Sequence, residues 1–421
     1  MAEDYAEKRE WQPVEEREKD LTEKLSRICN HAYEKAPAMK KKFDEAGFHP
    51  SRIQNLRDIE NIPITTRDEY IKLQRENPAF GGFLTVPPES LKRIYVHPGP
   101  QYETLSDADI EHGRTILWKV GVRNTDIAVN AVAYHLVPAG LLVDDILTSM
   151  GATVVPTGFG NTDLQVQIMH DLKVTFFIGF PLFLMTVIKR AGELGYDFKR
   201  DFNIKKALAL GSSPVKKSLE EDYGIETMEI YAFLPVGLAA CECEEKSGMH
   251  IEEDFIVEVV DPRTRKPLPF GEVGELVITT TFNDVLPRIR FGSGDLGSLI
   301  NEPCACGRTS YRIPKIVGRV GEAVKIRGMF VHPMEVEDVV SKIPEISRFH
   351  VIVTHDAMKD FITAKLELEE EGLDKDAIRE SFMSNFQSRC RVRVNKVEFV
   401  PKGTIPDDVT KVEEQRKEII L

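Results

Sequence analysis

Ile127-Ala128-Val129-Asn130-Ala131-Val132-Ala133, then Leu136 to Met150, then Ala152-Thr153-Val154-Val155, is the stretch whose period decides the fold. A short apolar run reads as a strand, a longer run with helical spacing as a helix, and a second apolar run as a strand. The same alternation continues with a helix at Thr162 to Asp171, a strand at Val174 to Ile178 and a helix at Leu182 to Leu194. Ala207 to Leu210 and Met228 to Tyr231 read as further strands. Strands that are apolar on both sides, separated by helices, predict a parallel sheet covered on both faces.

Outward from this block the pattern changes twice. Toward the N-terminus, Leu21, Leu25, Ile28, Cys29 and Ala32 repeat at helical spacing until Pro37 interrupts them. Toward the C-terminus, Ile256 to Val260 and Glu275 to Thr280 flank a Pro- and Gly-rich loop, Asp261 to Gly274, as antiparallel strands do. Beyond about residue 320, Ile362, Ala364, Leu366 and Leu368 alternate with polar residues as a half-buried strand. Ile378, Phe382 and Phe386 form a helical stripe, and Val397 to Val400 reads as a last strand. The expected architecture is α/β: a large N-terminal domain, 1–320, of layered sheets and helices, and a small mobile α+β domain, 321–421, hinged near Gly321-Glu322.

Bulk composition narrows the function classes. The 421 residues are 42% hydrophobic and 29% charged, with a net charge of −13. That acidity argues against a nucleic-acid partner, which needs clustered Lys and Arg. No apolar run reaches the roughly 18 residues of a membrane span. Met1 to Tyr5 are polar and show no secretory signal, and six cysteines in this length make no disulfide scaffold, so a reducing cytoplasm is expected.

Four of those cysteines fall in two short runs, Cys241-Glu242-Cys243 and Cys304-Ala305-Cys306, with His250 seven residues after Cys243. Thiolates plus an imidazole are the ligand types of a tetrahedral zinc site. A site closed by four protein ligands, Cys243, His250, Cys304 and Cys306, is structural. The alternative is a set of buried, idle thiols. Cys29 and Cys390 lie in helical stretches and read as core packing.

Several stretches together resemble the phenylacetate–CoA ligase family of adenylate-forming, acyl-CoA synthetase-like enzymes. They include Ile62-Pro63-Ile64-Thr65-Thr66, Gly151-Ala152-Thr153-Val154-Val155-Pro156 and Gly271-Glu272-Val273-Gly274-Glu275-Leu276-Val277. Leu286-Pro287-Arg288-Ile289-Arg290, Asp295-Leu296, Gly318-Arg319 and Ile326-Arg327-Gly328 complete them, so nearly the whole chain is covered. The resemblance implies ATP-dependent activation of an aryl-like carboxylic acid to an acyl-adenylate, then transfer to coenzyme A, with the small domain rotating between the steps and a possible homodimer. It also implies a zinc clip of the Cys, His, Cys-x-Cys type, which leaves Cys241 as a neighbour.

It further implies residue roles. Asp295 would hold the ribose hydroxyls and Arg319 the ribose and α-phosphate. Gly211, Ser212 and Ser213 would border the adenine, together with Tyr231. Gly328 would line the thioester site, and Lys411 would assist adenylation; a solvated surface lysine is the alternative for Lys411. Phe180, Tyr134 and His135 are candidates for the acyl pocket. Two segments depart from the family pattern. Where a Ser/Thr/Gly-rich phosphate loop should stand, the chain reads Val96-His97-Pro98-Gly99-Pro100-Gln101-Tyr102-Glu103, and Glu103 is expected to repel an anion. Where a Mg²⁺ carboxylate should follow Tyr231, the chain reads Ala232-Phe233-Leu234-Pro235, leaving Mg²⁺ without that ligand. Three functions therefore stand: an AMP-forming acid–CoA ligase, a repurposed homologue that binds nucleotide or acyl-CoA, or an acyl transferase that does not use ATP.

Overall fold

The computed structural model describes residues 8–97, 101–210, 215–233, 236–262, 264–320, 324–326, 329–331, 333–356, 359–370, 372–406, 409 and 411–415. Two compact units are distinguished: Met1–Val96 with Tyr102–Gly318, and Arg319–Leu421 with His97–Gln101. The expected hinge at Gly321-Glu322 lies outside the described residues.

In the first unit the helix Val14–Lys35 buries a face of Leu21, Leu25, Ile28, Cys29 and Ala32. Glu15 and Glu16 in its first turn and Lys35 in its last suit the helix dipole. Pro37 ends this pattern and begins the next helix, Pro37–Glu45, at a position where its missing N–H costs nothing. Strands β1 (Tyr95–His97) and β2 (Gln101–Glu103) form a two-stranded sheet.

The strands that follow are β3 (Ile127–Asn130), β4 (Thr153–Val155), β5 (Phe176–Gly179), β6 (Lys206–Leu210) and β7 (Glu226–Phe233). After them come β8 (Gly237–Glu242), β9 (Met249–Ile251), β10 (Phe255–Val260), β11 (Gly274–Thr280), β12 (Phe291–Gly297), β13 (Arg312–Ile313) and β14 (Ile316–Arg319). Eight of them make one sheet in the order β13-β9-β8-β7-β6-β5-β3-β4. β7, β6, β5, β3 and β4 are mutually parallel, and β8, β9 and β13 extend the sheet antiparallel. The strand order reverses at β3, with β4 on one side and β5 on the other. A second sheet has the order β10-β11-β12-β14.

Alternate residues of the parallel strands feed two cores. Ala128, Phe176, Ile178 and Leu208 meet Ile116, Leu117, Leu142 and Ile146 of the helices Asp107–Lys119 and Pro138–Ser149. Val129, Phe177 and Ala207 meet Val166, Met169, Leu184 and Val187 of the helices Thr162–Asp171 and Pro181–Glu193 on the other face. Each large apolar side chain buried here contributes about 1.5–3 kcal/mol before conformational entropy is counted. The two-faced sheet thus has the expected form. Gly113 sets how closely the first two helices approach, since a Cβ there would lie 2.2 Å from Ile146 Cδ1.

The expected strand to Ala133 stops at Asn130, and the expected helix from Leu136 starts at Pro138. Asn130 breaks the strand because its side chain takes over the local hydrogen bonds. Its Oδ1 accepts from Val132 N at 3.3 Å, and its Nδ2 donates to Gly140 O at 2.9 Å. Leu136 has φ +65°, which no helix tolerates, and Pro138 then takes the first helical position.

In the second unit, β15 (Val324–Ile326) pairs with β16 (Met329–Val331). β17 (Ile346–Asp356), β18 (Lys359–Leu368), β19 (Lys396–Phe399) and β20 (Val412–Glu414) form a sheet in the order β19-β18-β17-β20. Ile362, Ala364 and Leu366 pack with Ile378, Phe382, Phe386 and Cys390 of the helix Lys375–Cys390. Asp374 caps that helix, accepting from Asp376 N and Ala377 N at 3.1 Å.

Candidate functional site

Because β3 to β7 are parallel, the turns that follow them share one edge of the sheet. In open α/β sheets ligands bind at the carboxyl ends of strands, where the strand order reverses. Tyr231 lies near the carboxyl end of β7, and Phe180 follows β5. The segment Gly211, Ser212 and Ser213, after β6, lies outside the described residues, as does Gly328.

Asp295 comes to this edge from the second sheet. The Tyr231 hydroxyl donates to Asp295 Oδ2 at 2.9 Å, and both residues are buried. Two residues 64 positions apart, on separate sheets, are thus joined side chain to side chain. A carboxylate has about four acceptor positions, so it can take hydroxyl donors in addition to Tyr231. The Asp295 amide donates to Ser293 Oγ at 2.9 Å, fixing the backbone from which the carboxylate projects. Upstream, Arg290 and Gly292 exchange backbone hydrogen bonds with Thr65 at 2.9 Å, and the Arg290 guanidinium clasps Glu258. The stretch Ile62 to Thr66 therefore pins the start of the strand that carries Asp295.

Phe180 stacks with Phe159, ring centroids 6.1 Å apart and planes 20° apart, and Phe159 is 47% exposed. Tyr134 receives a hydrogen bond from Asn130 Nδ2 at 2.7 Å, and His135 is exposed. This aromatic patch stands beside the carboxyl ends of β3 and β5.

The departures take a definite form. β1 and β2 pair in the segment that departs from the phosphate-loop pattern, and residues 98–100 between them lie outside the described residues. Glu103 does not face an anion site as expected. It is 1% exposed and forms an ion pair with Arg288, which also donates to the Tyr70 hydroxyl at 2.9 Å. The guanidinium lies 4.7 Å from the Tyr70 ring centroid, so its charge is met by both a carboxylate and a π face. Leu234 and Pro235 lie outside the described residues.

Arg319 is the last residue of β14 and is half-buried. Lys411 precedes β20. It pairs with Glu337 of the helix Pro333–Val340, its Nζ 6.0 Å from the Phe349 ring centroid and its side chain 47% exposed. An exposed pair of this kind is worth about 0–1 kcal/mol, so Lys411 is easily released.

Away from this edge, Cys243, His250, Cys304 and Cys306 bring their four ligand atoms within 4.8 Å of one another. Cys243 follows β8, His250 is on β9, and the two other cysteines sit in the loop between β12 and β13. Two sulfurs each about 2.3 Å from a tetrahedral ion stand about 3.8 Å apart, and a sulfur and an imidazole nitrogen about 3.5 Å apart. Cys243 Sγ and Cys304 Sγ are 3.7 Å apart, and Cys306 Sγ and His250 Nε2 are 3.5 Å apart. Burial, with Arg308 and Arg312 nearby, pulls the His250 imidazole down to about 4, so the ring is neutral and able to ligate. Burial opposes the Cys304 thiolate, yet hydrogen bonds from Ser247 and the Cys306 backbone bring it down to about 7. The ring's Nδ1 lies 3.3 Å from Ser310 Oγ, which orients it.

Trp11 Nε1 donates to Cys306 O at 3.0 Å, and Gly307 must be glycine here. Its φ is +80°, and a Cβ would meet the Trp11 ring at 3.2 Å. Cys241 turns away from the cluster and donates to Glu252 Oε1 at 3.2 Å.

Sequence reasoning missed Ser293, which accepts from Asp295 N, and Glu275, which accepts from Gly294 N, as supports of the site. The spacing Gly292-Ser293-Gly294 before Asp295 was the available cue, because paired glycines inside a strand mark a bulge.

Comparison with known proteins places the chain among adenylate-forming CoA ligases. The family described as AMP-binding enzyme C-terminal domain matches residues 328–416. The phenylacetate-coenzyme A ligase of Thermus thermophilus is 31% identical over 418 residues, covering 91% of this chain and 92% of that protein. The phenylacetate-coenzyme A ligase of Aromatoleum evansii is 31% identical over 383 residues, covering 86% and 85%. Among solved structures, 2-hydroxyisobutyryl-CoA ligase in complex with 2-HIB-AMP and CoA matches with TM-score 0.89 and 25% identity over 97% of this chain and 92% of that one.

Proposed function

The chain belongs to the phenylacetate–coenzyme A ligase family, and on that premise we propose that it is an AMP-forming acid–thiol ligase. A carboxylate attacks the α-phosphate of ATP and releases pyrophosphate. The thiol of coenzyme A then attacks the acyl-adenylate and releases AMP. The single observation that carries this reading is the Tyr231–Asp295 hydrogen bond at the carboxyl edge of the parallel strands.

Asp295 accepts from the ribose hydroxyls while Tyr231 holds the carboxylate in place. Arg319 supplies guanidinium donors to the ribose and α-phosphate. Lys411 meets the negative charge that develops as the acid attacks. Gly211, Ser212 and Ser213 border the adenine, and Gly328 lines the path of the thiol. The stacked Phe159 and Phe180 rings favour a flat, apolar acid of the aryl class. Residues 1–320 form the large domain and 321–421 the lid that turns between the two steps. No helix among the described residues is long and apolar enough to cross a membrane. A reducing cytoplasm is the compartment inferred, supported by six cysteines none of which is paired in a disulfide.

A zinc ion is assigned to Cys243, His250, Cys304 and Cys306. The donor set and both spacings fit it, and it would fasten the loop before β13 to the end of β8 without leaving a position for substrate.

A second reading has one observation of its own. The hairpin at β1–β2 commits its carboxylate to Arg288 where phosphate donors are expected, which favours use of a preformed acyl-adenylate or acyl-CoA. Acid-dependent exchange of pyrophosphate into ATP, across a panel of aryl acids, separates the two. Exchange above background supports the ligase. Absent exchange, with AMP or acyl-CoA binding measured by calorimetry, supports the second reading.

A further inference from the structure

Asp295 does not sit on a regular strand. Along β11 and β12 the pairing runs Gly274↔Gly297 and Glu275↔Leu296, then jumps to Val277↔Gly292. Two steps on β11 thus face four on β12, and the extra residues are taken from Ser293, Gly294 and Asp295. A bulge re-aims the side chains it carries, but it removes their amides from the ladder, and buried amides need other partners.

Glu275 supplies one. This residue is 4% exposed, and its Oε1 accepts from Gly294 N at 3.1 Å. The same oxygen lies so close over Gly292 that a Cβ there would come within 2.6 Å of it. The other oxygen, Oε2, pairs with Arg265, which stands on the loop after β10 with φ +61°. The buried carboxylate is therefore held from outside by a guanidinium and spends its inner oxygen on the amide next to Asp295. Ser293 Oγ takes the following amide at 2.9 Å.

We infer that Glu275 is a positioning residue for nucleotide recognition, clamping the Ser293–Asp295 bulge so that the Asp295 carboxylate meets the ribose. This rests on the reading of Asp295 as the ribose acceptor. A carboxylate that only stabilised the sheet would, when removed, weaken every ligand alike. One that aims Asp295 matters only when the ribose hydroxyls are present.

The test is calorimetric binding of AMP and 2′-deoxy-AMP to the full chain and to Asp295→Ala, Glu275→Ala, Glu275→Asp and Glu275→Gln. The wild type is expected to prefer AMP by about tenfold, the size of one charge-assisted hydrogen bond. Asp295→Ala loses that preference. Glu275→Ala and Glu275→Asp, the latter too short to reach Gly294 N, lose most of it. Glu275→Gln keeps an acceptor for that amide and retains most of it. If Asp295→Ala loses the preference while Glu275→Ala and Glu275→Asp both keep it, the inference is overturned and the Asp295 reading stands. If Asp295→Ala itself keeps the preference, both fall. Where Glu275→Ala does not fold, Glu275→Asp decides.

Discussion

The Tyr231 hydroxyl donates to Asp295 Oδ2 at 2.9 Å, and each of the two residues sits where its strand pairing is irregular. On β7 the register shifts between Tyr231 and Ala232, with Ala239 of β8 as the extra residue. On β12 the extra residues include Asp295 itself. Irregularity on both sheets lets two side chains that regular strands would aim elsewhere converge on one point.

Removing the hydroxyl alone should therefore loosen nucleoside binding more than the fold. In Tyr231→Phe the dissociation constant for AMP should rise about tenfold, since a hydrogen bond to a charged acceptor contributes about 1.5–3 kcal/mol and part of it is recovered by water. Calorimetry measures it; an unchanged constant would mean that Asp295 is aimed without Tyr231.

The cluster of Cys243, His250, Cys304 and Cys306 makes an independent prediction. Protein purified without chelators should carry about one zinc per chain by elemental analysis, and Cys304→Ser and His250→Ala should carry much less. Strong chelation should lower the melting temperature of the wild type and leave that of Cys304→Ser nearly unchanged.

Arg288 is the counter-charge of a carboxylate with almost no access to water. Arg288→Leu should cost about 3–5 kcal/mol, because it strands Glu103. Adding Glu103→Leu should return most of that loss. Denaturant midpoints of the two variants decide the matter, and a double variant no more stable than Arg288→Leu would contradict it.

Lys411 forms a surface ion pair with Glu337. Lys411→Ala should lower adenylation about 10²–10³-fold, the scale for removing one group that meets developing charge. Thioester formation from a supplied acyl-adenylate should be spared. Equal loss in both half-reactions would remove Lys411 from the adenylation step.

Glu253 predicts a pH dependence. Burial pushes its carboxyl up to about 7 from an ordinary 4.5, against the pull of Arg17 and Lys119. The folded chain therefore holds this proton more tightly than the unfolded chain. Its contribution to stability is complete below about 4.5 and is lost as pH rises through about 7. The melting temperature of the wild type relative to Glu253→Gln should fall between pH 5 and pH 8, as calorimetric scans at several pH values would record.

The cluster of Cys243, His250, Cys304 and Cys306 was legible in sequence because its chemistry is carried by residue type and lies in two short runs. The parallel strands were legible because β3, β5 and β6 are apolar on both faces. The helix over Thr162–Asp171 was legible in the same strand–helix alternation, and Asn161 caps it, accepting from Leu164 N at 3.4 Å. The strand order was not, since nothing in Ile127–Asn130 says that β4 and β5 will flank it. Nor was the partner of Glu103, which is 185 residues away. A carboxylate after a segment that departs from the family's phosphate-loop pattern reads as a repulsive charge until the fold brings Arg288 to it. The link between Tyr231 and Asp295 depends on two bulges, and a bulge is a relation between strands that one strand's sequence only hints at through its glycines.

The eight-stranded sheet ends on one side in β13, two residues long, and on the other in β4, three residues long. A strand edge is a row of open hydrogen-bonding groups that another molecule can copy onto. At the β13 border Arg312 already exchanges both backbone hydrogen bonds with Ile300, and the β4 border is three residues long, so neither edge gives a stranger enough to start a ladder. Its width is self-limiting, and crowding many copies together should not lengthen it into a fibre.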